Sequence, residues 1–177
     1  MAVLRYFLES FSVAESGISR IRELAADQEG VAVTGAATTA TALVKAHAFG
    51  GAWKAIQNGA VAALREGKAL INASKTYAEL VSANARPEVL NGIAGTHLSH
   101  PTDSHPPLAV RLEALGKPLE EVSAAALDVH PSQAAIALFP GAEETEQNLS
   151  ETYQAILARQ LGIAPKPSPG APPAEHK

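Results

Sequence analysis

Glu23 and Asp27 lie four residues apart, so in a helix both carboxylates share one face. Two like charges in that register cost an isolated helix about 0.2–0.5 kcal/mol, and a cation or a partner's hydrogen-bond donors reverse that sign. A zinc ion taking Glu23 as a ligand, with Asp27 orienting a neighbouring ligand, is one such arrangement. On spacing alone the plainer account is favoured, a solvated acidic face with Arg20 and Arg22 beside it. The second stretch is His97-Leu98-Ser99-His100-Pro101-Thr102-Asp103-Ser104-His105-Pro106-Pro107-Leu108, followed by Arg111, and it holds three of the six histidines. Imidazole is the commonest metal ligand and a frequent proton donor. His97 and His100 alone do not complete a zinc site, and Asp103 adds a third candidate donor. Spacing alone again favours the plainer account, a surface loop with polar groups near a helix start.

Helices are the elements that must hold these residues. Ala is the commonest residue, and it winds into a helix without losing side-chain entropy. Leu4, Leu8, Phe11, Ile18, Ile21 and Ala25 keep helical spacing, which predicts a long helix from Val3 to Thr34, with a kink or break in the weak stretch between Ser10 and Gly17 and a stop at Gly35. A second helix is expected over Thr38 to Phe49, a bend at Gly50-Gly51, and further helix from Trp53 to Glu66. Ala69 to Ala83 reads as helix, Arg86 to Gly95 as turns with one helical turn near Val89 and Leu90, and Thr96 to Pro107 as a loop. Leu108 to Leu115 is expected as a helix with Ser104 as a candidate cap and Gly116 as its stop. Pro118 to Leu127, Ser132 to Leu138 and Ala142 to Leu161 complete an all-α reading. From Pro165 the chain is crowded with proline, so residues 1–162 read as one compact helical domain and 163–177 as a disordered, Pro-rich tail.

The composition narrows the chemistry. Apolar residues make up 46% of the 177, enough for a core, while aromatics are only 5%, so Ala, Leu, Val and Ile must build it. The net charge of −4 supplies no basic surplus for phosphates, which excludes nucleic acid as the expected partner. With no Cys there is no disulfide scaffold, thiol catalysis or Cys-ligated metal. No apolar run reaches about 18 residues, so no membrane span is expected, and Arg5 and Glu9 interrupt any signal-peptide core. Met1 runs into an amphipathic helix without cap or lead-in, as expected of a chain cut from something longer.

Taken together and in order, the two stretches resemble a known family. Ser19-Arg20-x-Arg22-Glu23-x-x-Ala26-Asp27, followed by Thr34-Gly35 and an Ala/Leu-rich helix with Lys45, looks like the third-ligand helix of the HtpX and CAAX prenyl protease family. Ser104-His105-Pro106-Pro107-Leu108-x-x-Arg111-Leu112-x-x-Leu115 is similar to that family's later motif. The resemblance covers residues 15–48 and 96–116. It implies a zinc metalloendopeptidase, usually membrane-integral, acting on protein or peptide substrates. By the same resemblance Glu23 is the glutamate zinc ligand, Asp27 the carboxylate supporting a ligating His, His105 the His facing the active site and donating to the oxyanion, and Arg111 a supporting residue.

One departure governs the expectation. The family's His-Glu-x-x-His helix, which supplies two zinc ligands and the general base, precedes the glutamate ligand, and this sequence contains no such motif. His47 is followed by Ala48, Phe49 and Gly50 and does not replace it. The chain therefore reads as the C-terminal part of such a peptidase, inactive alone. Zinc is expected in a full-length parent and none held tightly by this chain, which by itself is expected to be soluble and cytoplasmic. The alternative is a helical regulatory or interaction module that reuses the fold. The amphipathic stretch Glu143 to Leu161, with Leu149, Tyr153, Ile156, Leu157 and Gln160, lends that alternative weight. A small metal-binding protein using His97, His100 and Asp103 is a third.

Overall fold

The computed structural model describes residues 2–68, 72–95, 98–130 and 135–163. Among these every regular element is helical: α1 (Ala2–Thr34), α2 (Ala36–Arg65), α3 (Ala73–Asn84), α4 (Leu108–Ala114), α5 (Leu119–Leu127) and α6 (Ala142–Gln160), with 3-10 turns at Pro87–Leu90 and Ala135–Leu138. The all-α expectation holds. No helix among the described residues is long and apolar enough to cross a membrane. The residues after Ile163, where the Pro-rich stretch lies, are outside the described part.

Three sequence expectations are corrected. α1 runs unbroken through Ser10–Gly17. α2 likewise continues through Gly50-Gly51, because glycine only permits a bend and a helix hydrogen-bonded on both sides does not need one. Ser104 does not cap α4: Pro107 occupies the cap position in an extended conformation, with no side-chain cap bond. Pro107 has no N–H, so one of the four donors that a helix start leaves unpaired is absent there.

The chain divides into two compact units. In the unit formed by Met1–Gly51 and Ser82–His130, the core is Ala40 and Val44 of α2, Leu90, Leu108, Leu112 and Leu115 around α4, and Val122 and Ala126 of α5. Leu, Val and Ala fill it, as a chain poor in aromatics requires. α4 ends at Gly116, whose φ of +61° only glycine adopts without strain, with Gly116 N donating to Glu113 O at 2.9 Å and Lys117 N to Leu112 O at 3.0 Å. Gly35 (φ +86°) joins α1 to α2 in a single residue. Lys45 Nζ donates to Asp128 O at 2.5 Å and ties α2 to the end of α5.

α1 meets this unit with its polar side. Ser16 and Asp27 are buried on it, while Leu4, Leu8, Phe11, Ile18 and Ile21 are 60–69% exposed. The apolar stripe that marks α1 as a helix is therefore not part of the core.

The second unit, Ala52–Val81 with Pro131–Lys177, buries Ile56, Ala60, Ala73 and Val81 beside Ser150, Gln154 and Ala158 of α6. Asn72 Oδ1 accepts from Lys75 N (2.8 Å) and caps α3, and Ala73 N donates to Ser150 Oγ (2.9 Å). Here too the packed face differs from the apolar stripe read in the sequence, since Leu149 and Ile156 are exposed. The described part of the expected helix Ser132 to Leu138 is only the 3-10 turn.

Candidate active site

The site forms where the polar face of α1 meets the loop before α4 and the first turn of α4. Ser16, Arg20, Glu23 and Asp27 recur at spacings of four, three and four, which stacks them along one side of the helix. Ser16 Oγ donates to Thr102 O (3.1 Å) and Arg20 Nη1 to Asp103 O (2.5 Å), so the upper half of this row fastens the loop. Gln28 Nε2 donates to Ala114 O (3.0 Å) and fastens the end of α4. Between these anchors sit the four residues named by the sequence.

Arg111 is at their centre. Its Nε and Nη2 donate to Asp27 Oδ2 and Oδ1 at 2.8 and 2.6 Å, a two-pronged grip that matches the planar guanidinium to the planar carboxylate. Its Nη1 lies 3.1 Å from Glu23 Oε2. The other Glu23 oxygen, Oε1, is 2.5 Å from His105 Nδ1. The side chains of Asp27 and Arg111 are 8% and 13% exposed, whereas His105 is 69% exposed. The arrangement thus grades from a buried ion pair to a solvent-facing imidazole. Hydrogen bonding to Asp27 raises the Arg111 pKa above its ordinary value, burial opposes this, and the charges of Asp27 and Glu23 add to the rise.

A cleft of about 610 Å³ opens here, lined by Ser19, Arg22, Glu23, Ala26, His105 and Arg111. The structure therefore brings Glu23, Asp27, His105 and Arg111 together from motifs more than 80 positions apart. It does not bring in His100 and Asp103. Asp103 Oδ2 accepts from the backbone N of His100 (2.7 Å) and His100 Nδ1 pairs with Thr102 Oγ1 (2.7 Å), the pattern of a self-bonded turn. His97 lies outside the described residues. The anchoring role of Ser16, Arg20 and Gln28 was not read from the sequence, although Ser16 and Arg20 share the helical face of Glu23 and Asp27.

Residues 1–119, which include both motifs, match the sequence profile of peptidase family M48. The chain belongs to peptidase family M48. Neither a curated protein nor a solved structure matches it. M48 peptidases are generally zinc metalloproteases, and a catalytic zinc takes three protein ligands. Here one carboxylate and one imidazole stand together, and no group of three or more His, Asp or Glu able to hold a metal occurs among the described residues. Among the described residues the donors of this M48 chain do not by themselves fit a zinc ion. What the site offers is one carboxylate, fixed on both oxygens, beside an exposed imidazole and a buried guanidinium.

Proposed function

We propose that this chain is the part of a membrane-associated zinc metalloendopeptidase, of the HtpX and CAAX prenyl protease type, that follows the His-Glu-x-x-His helix. In that reading peptide-bond hydrolysis needs both parts, and the chain alone is inactive. The observation that carries it is the convergence of Glu23, His105 and Arg111 on one cleft of an M48 chain, with Asp27 buried behind Arg111.

Glu23 is the ligand this chain contributes to the metal. Each carboxylate oxygen has two acceptor sites, so Glu23 can keep its Arg111 contact at Oε2 while offering electrons elsewhere. Asp27 acts through Arg111, which positions Glu23. This refines the role implied by the family resemblance, in which Asp27 supports a ligating His. His105 faces the cleft, where a ring N–H would donate to the oxyanion of the tetrahedral intermediate. A peptide or protein is the substrate. When bound, zinc supplies Lewis-acid polarisation of the scissile carbonyl and an activated water. This sequence has no His-Glu-x-x-His motif to position that water and take its proton, and the general-base contribution of about 10²–10⁴-fold is missing with it.

The test compares two chains on casein with added zinc. This chain alone should leave casein intact. A longer chain that carries the upstream reading frame, with its expected His-Glu-x-x-His and apolar spans, should cleave it. Glu23→Gln in the longer chain should abolish cleavage by weakening zinc. EDTA-sensitive cleavage by the short chain would overturn the claim of inactivity. Full activity of the longer Glu23→Gln chain would overturn the ligand assignment.

A further inference from the structure

The exposed side of α1 has a period of its own. Leu4, Phe11, Ile18 and Ala25 follow one another at seven-residue intervals, and Phe7, Ala14 and Ile21 fall three residues after the first three of them. This is the alternating three-four spacing of a coiled-coil seam, sustained for three heptads, or roughly 32 Å of helix. Every one of these residues is exposed, the five large ones by 60–69%. Ile18 lies about 140° around the helix from Glu23, so the seam is a separate face from the site row. A seam of this kind normally has a second helix on it.

The charges beside the seam identify that helix. Position e of the heptads carries Leu8, Glu15 and Arg22, and position g carries Ser10, Gly17 and Leu24. Among the described residues neither Glu15 nor Arg22 makes an ion pair. In a parallel pair g faces e of the partner, which sets Ser10 against Glu15 and Gly17 against Arg22 and pairs no opposite charges. In an antiparallel pair e faces e. If Ile18 packs on the partner's Ile21, and Ile21 on the partner's Ile18, Glu15 then faces the partner's Arg22 twice, once on each side of a two-fold axis. The same alignment sets Ala14 against the partner's Ala25, allowing close approach, Phe7 against the partner's small Ala32, and Phe11 against the partner's Gln28. Shifting one helix by a heptad instead sets Glu15 on Glu15 or Arg22 on Arg22. Charge and volume thus select one register.

We propose that α1 pairs with α1 of a second copy of this chain as an antiparallel coiled coil, centred between Ile18 and Ile21 and held in register by reciprocal Glu15–Arg22 ion pairs. The inference does not depend on the peptidase reading. Arg22 borders both the seam and the cleft, so pairing brings the partner's Glu15 to the cleft edge.

Sedimentation equilibrium on the whole chain tests this. The wild type should form a dimer at micromolar concentration. Ile18→Glu should raise the dimer dissociation constant at least about tenfold, with helical circular dichroism unchanged because Ile18 is exposed. Glu15→Arg and Arg22→Glu should each weaken the dimer, and the double exchange should restore it. A wild-type chain that stays monomeric at about 100 µM overturns the proposal. So does a dimer indifferent to both single charge changes, or a double exchange that fails to rescue. A monomer that binds neutral phosphatidylcholine vesicles through Phe7 and Phe11 overturns it too, by making a lipid surface the occupant.

Discussion

Arg111 links the chemistry of the site to its stability. It is the only cation reaching both Glu23 and Asp27 among the described residues, and it closes the gap between α4 and α1. Arg111→Ala leaves the Asp27 carboxylate buried without its counter-charge. Breaking a well-buried pair in this way costs about 3–5 kcal/mol, and this pair, at the edge of a cleft, should lose about 2–3 kcal/mol in urea unfolding. Arg111→Lys keeps the charge but not the fork, and should fall between wild type and Ala. The sign of the pH dependence follows from the raised Arg111 pKa. A cation whose folded pKa lies above its unfolded one keeps its full contribution below the unfolded value. For arginine that value is far into alkali. Raising the pH from neutral to about 10 should therefore remove nothing from this pair, so the Arg111→Ala loss should be the same at both. A loss that shrinks over that range would mean that the pair is not what the substitution removes.

At the scale of elements, local signals read well where a single residue decides the backbone. Gly35 and Gly116 end helices as expected, because their positive φ angles exclude other residues without strain. Glu120 and Glu121 sit in the first turn of α5, where acidic residues favour the helix dipole. Gly50-Gly51 permits a bend in the sequence but lies inside α2, since permissiveness is not a requirement and the flanking residues decide. This difference has a measurable consequence. A Cβ at Gly50 or Gly51 meets nothing within 4 Å, so Gly50→Ala and Gly51→Ala should each stabilise by about 0.5–1 kcal/mol in urea unfolding. Gly116→Ala also meets open space, yet should destabilise by about 1 kcal/mol because of its φ of +61°. Opposite signs at two equally open positions separate conformation from crowding. If Gly50→Ala destabilised, α2 would have to bend there in solution.

For the whole molecule, the motifs made the four site residues legible, and the chain order of those motifs pointed to their meeting. Which face of α1 packs was not legible. Periodicity establishes that a helix has an apolar side, but not what lies against it, and here the packed side is Ser16, Arg20, Glu23 and Asp27. Such a contact leaves no hydropathy signal, because its partners are backbone carbonyls, one arginine and one histidine. That same arginine determines how the chain should treat metal. A zinc ion approaching Glu23 meets a guanidinium 3.1 Å from Oε2 and displaces His105 from Oε1, with no third ligand among the described residues to compensate. Calorimetry on metal-stripped protein should therefore show only weak zinc binding, with no stoichiometric uptake at micromolar zinc. Arg111→Ala removes the opposing charge and frees Asp27, one helical turn from Glu23, and should tighten zinc binding about tenfold even as it weakens the fold. Binding no tighter in Arg111→Ala would show that the missing ligands alone limit affinity. One tightly held zinc per wild-type chain would contradict the account of Glu23 and turn attention to the segment holding His97 and His100.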